Sequence, residues 1–458
     1  MLKKNYEIDM LNGPLLGKII LFSIPMILSG ILQLLYNAAD VIVVGRYSGS
    51  TALAAVGSTG SLTNLIISLF MGLSVGTSVA VAQYYGAGDW KNVSQVVHTS
   101  VATSFISGIL VSILGICMAE TFLMAMDTPV DVLPQAALYM RIYFVGVPAS
   151  MVYNFGSAIL RAAGDTRRPF IYLSISGLVN VILNMLFVIV FRMGVAGVAW
   201  ATVISQVLSA VLIIICLMQF NGPCRVFLKE IKIWPDKLWK IIKIGLPAGL
   251  QGSIFSISNV LIQSSVNKFG SAVVAGNSAA SNIEGFIYVS MNAIYNTALT
   301  FTGQNTGAKK FSRINRILGI CILTVFVIGF GMGMLALVFG RQLLGIYAPN
   351  NAEVINYGMI RLSVISRTYF LCGMMDVMVG MLRGIGKSFM PMIVSIMGVC
   401  GVRITWILVI FAMDRELTTL YMSYPVSWLF TFLVHFFTFI VVKNRVAKKE
   451  GLEEIQTT

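Results

Sequence analysis

The sequence predicts an all-α integral membrane protein with twelve transmembrane helices in two pseudosymmetric six-helix lobes. Its 458 residues are 57% hydrophobic and only 11% charged, whereas a soluble protein has about 25% charged residues. Long apolar runs recur from end to end, many close to the length of about twenty residues that crosses a bilayer. The two halves also repeat each other at an offset of 222 residues, from Pro25 to Pro247.

The apolar runs define the twelve spans in order. They lie at 18–42, 52–82, 95–119, 133–159, 169–191, 194–218, 240–265, 272–303, 316–340, 354–381, 389–412 and 417–442. We therefore assign an N-lobe to residues 1–219, a cytoplasmic linker to 220–240, and a C-lobe with a cytoplasmic tail to 241–458. In the linker, Lys232, Trp234, Lys237 and Trp239 predict a helix that lies in the inner interface.

Positive charge predicts the orientation. The outer loops carry only Arg46, Arg192, Lys268, Arg341 and Arg415, and four basic residues fall within spans, namely Arg141, Arg361, Arg367 and Arg403. All the other Lys and Arg residues lie in cytoplasmic segments, as the positive-inside rule requires, so both termini are expected in the cytoplasm. The membrane therefore accounts for the net charge of +14 without a nucleic-acid partner. The first span follows no cleavable signal pattern and is expected to be retained.

The halves repeat in the same order and with the same orientation. Asn37 returns as Asn259, and the turn Leu160-Arg161-Ala162-Ala163-Gly164-Asp165 returns as Leu382-Arg383-Gly384-Ile385-Gly386-Lys387. These turns lack the spacing of a phosphate-binding loop and are interpreted as basic cytoplasmic turns. Parallel repeats of this kind place a substrate at their interface near the membrane midplane.

The first span carries a carboxylate on a polar face. Gln33, Tyr36, Asn37 and Asp40 follow one another at spacings of three and four, so they share one side of a helix. An Asp at the centre of a membrane helix costs about 2.5–3.5 kcal/mol. This face is therefore expected to line a protein interior or a water-filled cavity.

Two further spans carry paired polar residues. Asn180 and Asn184 share a face of the fifth span, and Thr202 and Gln206 share a face of the sixth. Alone, such pairs are typical of hydrogen bonds between membrane helices. Together with Asp40 they supply the oxygen atoms that a hard cation such as Na⁺ requires. The same carboxylate could instead carry a proton.

Two other acids lie within spans, Glu284 in the eighth and Asp376 in the tenth. We expect them to line a substrate cavity and attract cationic cargo. The further lining residues are expected to be Gln33, Tyr36, Asn154, Gln206 and Tyr288. The alternative is an ion pair that holds helices together, and for Asp376 the available partners are Arg367 and Arg403. No His or Cys cluster with metal-ligand spacing is present.

These motifs resemble the multidrug and toxic compound extrusion (MATE) family. The resemblance is carried by Pro25…Asn37-Ala38-Ala39-Asp40…Gly45-Arg46, by Gln83…Gly86-Ala87, and by the paired turns after the fourth and tenth spans. It implies two six-helix lobes around a V-shaped cavity and export of organic cations in exchange for Na⁺ or H⁺. It implies that Asp40 is the essential acid and that Asn180, Asn184 and Thr202 complete its cation site. Certain members have Asp where this chain has Asn184.

The sequence thus predicts a monomeric, multi-pass antiporter of the bacterial cytoplasmic membrane, without enzymatic activity or cofactor. It would export amphipathic organic cations by alternating access, with Asp40, Asn37, Asn180, Asn184 and Thr202 coupling Na⁺ or H⁺, and with Pro25 and Pro247 as hinges. One alternative is a flippase of lipid-linked precursors, which would need a strongly basic cavity. An intramembrane enzyme would need a catalytic set that His98 and His435 do not form. A channel would differ only in being unable to move cargo uphill.

Overall fold

The computed structural model describes residues 6–449 apart from 127 and 350, and the side chains of all these residues except 50, 58, 61, 62, 64 and 65. In this part of the chain all regular structure is helical, as the sequence predicts. The helices are α1 (Leu15–Tyr47), α2 (Ser50–Gly86), α3 (Trp90–Ala125), α4 (Leu133–Ala162), α5 (Arg167–Asn184), α6 (Gly194–Met218), α7 (Pro235–Asn267), α8 (Ser271–Gly307), α9 (Phe311–Val338), α10 (Gly340–Tyr347), α11 (Ala352–Thr368), α12 (Phe370–Gly384), α13 (Phe389–Ser395), α14 (Val402–Leu408), α15 (Ile410–Met413) and α16 (Leu417–Lys449).

Ten helical segments among the described residues are long and apolar enough to cross a membrane. An eleventh is formed by α11 and α12 together, which meet at an angle of 45°. The sequence predicts a single span at this place, the tenth. The predicted eighth span corresponds to α8, which is 37 residues long. It is not among the apolar segments because Asn277, Asn282 and Glu284 lie within it.

The chain forms two compact units. The first consists of Met1–Ile8 and Ile31–Gly249, and the second of Asp9–Gly30 and Leu250–Thr458. Two of the three divisions fall inside helices, within α1 and within α7, shortly after Pro25 and Pro247 respectively, and the third lies between Ile8 and Asp9, before α1 begins. The lobe boundaries at 219 and 241 stay a prediction, and residues 450–458 of the predicted C-lobe lie outside the described residues.

Within the first unit, α2 and α7 contact each other through glycines. Gly72 and Gly76 lie one turn apart in α2, as do Gly245 and Gly249 in α7. A Cβ atom added to Gly245 would lie 2.6 Å from the Cα of Leu73, and one added to Gly76 would lie 3.0 Å from the backbone nitrogen of Gly245. Small residues at this spacing let membrane helices approach backbone to backbone.

The segment before α7 corrects one prediction. The linker 220–240 does not form an interfacial helix of its own: it contains a single short 3₁₀ turn, Leu228–Glu230, and α7 begins at Pro235. Side chains of α3 bind its backbone instead, because Phe227 N donates to His98 Nε2 at 3.0 Å and Trp234 N donates to Thr99 Oγ1 at 3.2 Å. Backbone groups satisfied in this way cannot enter a helical ladder, and a proline suits the first position of α7.

The first of the two repeated turns is a helix cap. Asp165 is fully buried and its Oδ1 accepts from the backbone of Arg167 at 2.9 Å and of Arg168 at 3.1 Å, at the start of α5. Its Oδ2 pairs with Arg168 Nε at 3.1 Å. Burial raises the pKa of the Asp165 carboxyl in spite of these contacts. The turn therefore orients α5, which carries Asn180 and Asn184.

Candidate functional site

A polar cavity of about 160 Å³ lies within the first unit, between α1, α4, α5 and α6. The structure brings together there most of the residues that the sequence singles out. Its lining consists of Gln33, Tyr36, Asn37, Asp40, Ser150, Tyr153, Asn154, Leu173, Ser176, Gly177, Asn180, Thr202, Ser205, Gln206 and Ser209. None of these described lining residues is Lys or Arg. We call this space the N cavity.

A chain of hydrogen bonds joins three helices at one end of the N cavity. Asn184 Nδ2 donates to Asp40 Oδ1 and, at 3.2 Å, to Asn180 Oδ1. Asn180 Nδ2 in turn lies 3.4 Å from Thr202 Oγ1. The carboxylate of α1 is thereby connected through α5 to α6.

This arrangement leaves acceptor oxygens without a donor. Asn184 Oδ1 and Gln206 Oε1 are buried and have no hydrogen-bond partner among the described residues. A buried acceptor without a partner costs about 1–3 kcal/mol. A proton on Asp40 would provide a donor to such an oxygen, and a cation such as Na⁺ would be attracted by several of them together. The oxygen-rich set therefore fits either coupling ion.

Local sequence explains why α1 lies against α5. Gly177 faces the ring of Tyr36 so closely that any side chain there would collide with it. Tyr36 Oη donates to Ser174 O at 3.3 Å. Directly after Asn184 the α-helix becomes a π-helical turn, Met185–Val190. Such turns are rare and are frequently found at functional sites.

Glu284 occupies a different environment from Asp40. Its carboxylate forms a two-pronged ion pair with Arg361 of α11, with distances of 3.0 Å to Nε and 2.6 Å to Nη2. Arg361 Nη1 also donates to Asn277 Oδ1 at 2.8 Å. Glu284 and Arg361 are 3% and 7% exposed. The sequence singles out both residues, because each is a charged residue within an apolar span. It does not show that they are partners.

Asp376 lies in a second cavity, which we call the C cavity. This space of about 360 Å³ is within the second unit, and its lining includes Asn259, Tyr288, Asp376, Arg403 and Trp428. Among the described residues, neither Arg367 nor Arg403 forms an ion pair with Asp376. Tyr288 lines the same cavity as Asp376, and Glu284 is not among its lining residues.

The two cavities occupy equivalent positions in the repeat. Eight lining residues of the N cavity return at an offset of 222 among those of the C cavity: Gln33 as Phe255, Asn37 as Asn259, Ser150 as Cys372, Tyr153 as Met375, Asn154 as Asp376, Gly177 as Val399, Thr202 as Tyr424, and Gln206 as Trp428. The location is preserved while the chemistry differs. The N cavity is lined by one acid, several amides and hydroxyls and two tyrosines, whereas the C cavity has more large aromatic side chains, one acid and one base.

Comparison with known proteins agrees with this two-lobed architecture. The sequence model of the MatE family matches the chain twice, over residues 25–186 and 247–409. This chain belongs to the MatE family. The two matches begin 222 residues apart, the same offset at which lining residues of the two cavities recur.

Several MatE relatives extend over nearly the whole chain. The probable multidrug resistance protein YoeA of Bacillus subtilis is 27% identical, with 93% of this chain and 94% of YoeA covered. The multidrug export protein MepA of Staphylococcus saprophyticus is 22% identical over 80% of this chain and 81% of its own. The fold matches a MOP superfamily transporter from Pyrococcus furiosus at a TM-score of 0.91, with 24% identity and with 97% and 99% of the two chains covered.

These comparisons confirm the fold class and the family predicted from the sequence. The protein is a multi-pass membrane transporter of the multidrug efflux type and not an enzyme. Both histidines have hydrogen-bond partners within the described part of the chain. His98 accepts from the backbone of Phe227, and His435 Nε2 lies 2.9 Å from Ser395 Oγ.

Proposed function

We propose that this protein is a cation-coupled antiporter that exports amphipathic organic cations across the bacterial cytoplasmic membrane. The observation that carries the proposal is the pairing of Asp40 with Asn184 in a polar cavity that contains acceptor oxygens but no basic lining residue. Such a cavity favours a cation over the pyrophosphate of a lipid-linked precursor. Two relatives carry names that refer to multidrug export or resistance, which supports drug-like cargo.

The coupling step is a change of partner at Asn184. With Asp40 ionised, the Asn184 amide uses both its hydrogens, one toward Asp40 and one toward Asn180. Protonation of Asp40, or binding of Na⁺ beside it, would favour an amide turned so that Oδ1 faces the acid or the ion. Asn184 precedes the π-helical turn of α5, so this change would act on the backbone there.

Helix α1 provides a route from the coupling site to the rest of the molecule. Asp40 lies in the part of α1 that belongs to the first unit, and Pro25 lies in the part that belongs to the second. A proline removes one hydrogen bond of the helical ladder and eases bending. We therefore assign Pro25, and Pro247 at the equivalent place in α7, as hinges for alternating access.

The driving force for coupled transport is real but modest. One charge moving down a potential of about 100 mV releases about 2.3 kcal/mol, in addition to the concentration gradient of the ion. Both Na⁺ and H⁺ could provide it, and the oxygen set of the N cavity fits both.

The test is dye transport in proteoliposomes with the two gradients imposed separately. We expect an imposed Na⁺ gradient or pH gradient, opposite in direction to dye movement, to concentrate a cationic dye against its own gradient. The gradient that succeeds identifies the coupling ion. Dye movement only down its own gradient would instead identify a channel, and no movement in a correctly folded preparation would contradict the proposal.

A further inference from the structure

Two lysines near the start of α7 share one aromatic ring of α2. Lys240 Nζ lies 3.8 Å from the ring centre of Tyr84, and Lys237 Nζ lies 5.0 Å from the same centre. Two ammonium groups of like charge are therefore neighbours. Both lie within two turns of Pro235, where α7 begins and where the positive end of a helix disfavours cations. The face of one ring attracts a cation but does not neutralise it.

The neighbouring acids compensate one of these lysines and not the other. Asp236 Oδ2 forms an ion pair with Lys237 Nζ at 2.7 Å. Asp89 caps α3 instead, because its Oδ1 accepts from the backbone nitrogen of Asn92 at 3.2 Å. The side chain of Lys240 forms no hydrogen bond or ion pair with the rest of the described chain. Its three N–H donors therefore lack a protein acceptor, and an anionic oxygen would provide one.

Exposed tryptophans place this region at the head-group level of a bilayer. Trp239, which precedes Lys240, is 64% exposed, and Trp90 at the start of α3 is 53% exposed. Trp90 packs edge-on against Tyr85, the neighbour of Tyr84 in the chain, with ring centres 5.4 Å apart. Tryptophan is enriched where a membrane meets water, and α7 is itself long and apolar enough to cross a membrane. These features favour a lipid head group over a soluble anion.

We propose that Lys240 binds the phosphate of an anionic phospholipid in the leaflet at this end of α7. The ring of Tyr84 covers one side of the ammonium group, and Trp239 lies at the boundary between head groups and acyl chains. The predicted orientation makes this the inner leaflet, where basic pockets between helices typically bind anionic head groups. None of these residues lines the N cavity. The inference therefore goes beyond the proposed function and concerns a lipid partner rather than cargo.

Native mass spectrometry of the full-length protein tests the inference. The protein is delipidated in detergent and mixed with equal amounts of phosphatidylglycerol and phosphatidylcholine, which differ in mass. We expect the first bound lipid to be phosphatidylglycerol with a preference of about fivefold or more, the effect of one lysine near a membrane surface. Lys240→Gln should remove most of this preference. Lys240→Arg keeps the charge and should retain the preference.

Two further variants separate a defined site from diffuse attraction by positive charge. Lys243→Gln is the matched control, because it removes the same charge from an exposed lysine about one turn further along α7. It should leave the preference for phosphatidylglycerol unchanged. Asp236→Asn should raise the preference by about fivefold, because Lys237 then lacks its counter-ion and can bind the same phosphate. Asp236 is exposed, so this variant is expected to fold.

A soluble competitor separates a lipid from a free phosphate ester. Glycerophosphoglycerol is the head group of phosphatidylglycerol without acyl chains, and we expect it not to displace the bound lipid at equal concentration. Displacement would overturn the lipid assignment. Equal loss of preference in Lys240→Gln and Lys243→Gln would overturn the site, because the attraction would then be diffuse. Wild-type protein without a preference between the two lipids would overturn it as well. The measurement requires no transport, so failure of the antiport proposal would leave it standing.

Discussion

At the scale of single residues, the three acids within the spans have three different environments. Asp40 contacts a neutral amide, Glu284 is neutralised by Arg361, and Asp376 lines a cavity without an ion-pair partner among the described residues. The sequence singles out all three because an acid in an apolar span is costly. It could not assign the partners, because Glu284 and Arg361 are 77 residues apart in the chain and only the tertiary fold brings them together.

Glu284→Gln tests the role of the ion pair. The substitution would leave Arg361 buried without its counter-ion, so we expect a loss of stability of about 3–5 kcal/mol. Thermal unfolding in detergent measures it. Replacing both partners, as in Glu284→Gln with Arg361→Met, should recover much of the loss, whereas Glu353→Gln at an exposed site of α11 should have no effect. A fully stable Glu284→Gln protein with impaired export of cations alone would instead favour a role in cargo binding.

Asn184→Asp tests the ion site itself. A second carboxylate next to Asp40 should strengthen attraction for Na⁺ by about tenfold or more, because the two unit charges would lie within a few ångströms of the ion. The readout is the Na⁺ concentration that gives half-maximal dye efflux. Asn154→Asp is the control, because it adds the same charge to the same cavity at a residue whose side-chain hydrogen bonds, within the described part of the chain, go to Ser150 of its own helix. If efflux depends on Na⁺, the same response in both variants, or in neither, would contradict the assignment of Asn184.

At the scale of helices, hydropathy predicted the order of the long helices but not their internal irregularities. The break between α11 and α12 and the π-helical turns Met185–Val190 and Ile396–Gly401 leave no mark on an apolar pattern. They depend on packing against neighbouring helices. The predicted interfacial helix of the linker was wrong for the same reason, since His98 and Thr99 of a distant helix bind its backbone.

The glycine contact between α2 and α7 gives a prediction at this scale. Gly72→Ala would place a methyl group against the backbone of Gly249. We expect overpacking to cost about 1–3 kcal/mol, measured as a lower unfolding temperature. Gly57→Ala and Gly60→Ala in the same helix, where an added Cβ atom meets nothing within 4 Å, should be neutral or slightly stabilising. Equal effects at all three positions would show that the close approach is not needed.

At the scale of the whole molecule, the repeat was the most informative feature of the sequence. It predicted two lobes of the same orientation, and the family sequence matches once in each. It did not predict that the cavities of the two lobes would differ in chemistry. That difference arises where equivalent positions of the repeat carry different residues, such as Asn154 and Asp376, and only the structure shows that both positions line a cavity. The sequence identified Arg403 only as a candidate partner for Asp376. The structure shows that its hydrogen bonds go instead to the neutral side chains of Ser427 and Asn259.

Orientation in the membrane is a further prediction at this scale. Lys and Arg bias predicts that the linker is cytoplasmic and that the segment between α3 and α4 is external. An epitope tag inserted after Glu230 should therefore be accessible only in permeabilised cells, and one inserted next to Val130, which is 86% exposed, should be accessible in intact cells. The opposite pattern of labelling would refute the topology.

The central claim is that Asp40 couples ion movement to export. Asp40→Asn is nearly isosteric and should fold, but an amide neither titrates nor balances the charge of a cation. The decisive measurement is gradient-driven accumulation of a cationic dye in proteoliposomes, with dye binding measured on the same preparation and Asp131→Asn, an exposed acid outside the spans, as the control. We expect Asp40→Asn to bind dye but to lose uphill accumulation entirely, while Asp131→Asn retains it. Wild-type accumulation by a correctly inserted Asp40→Asn protein would contradict the claim.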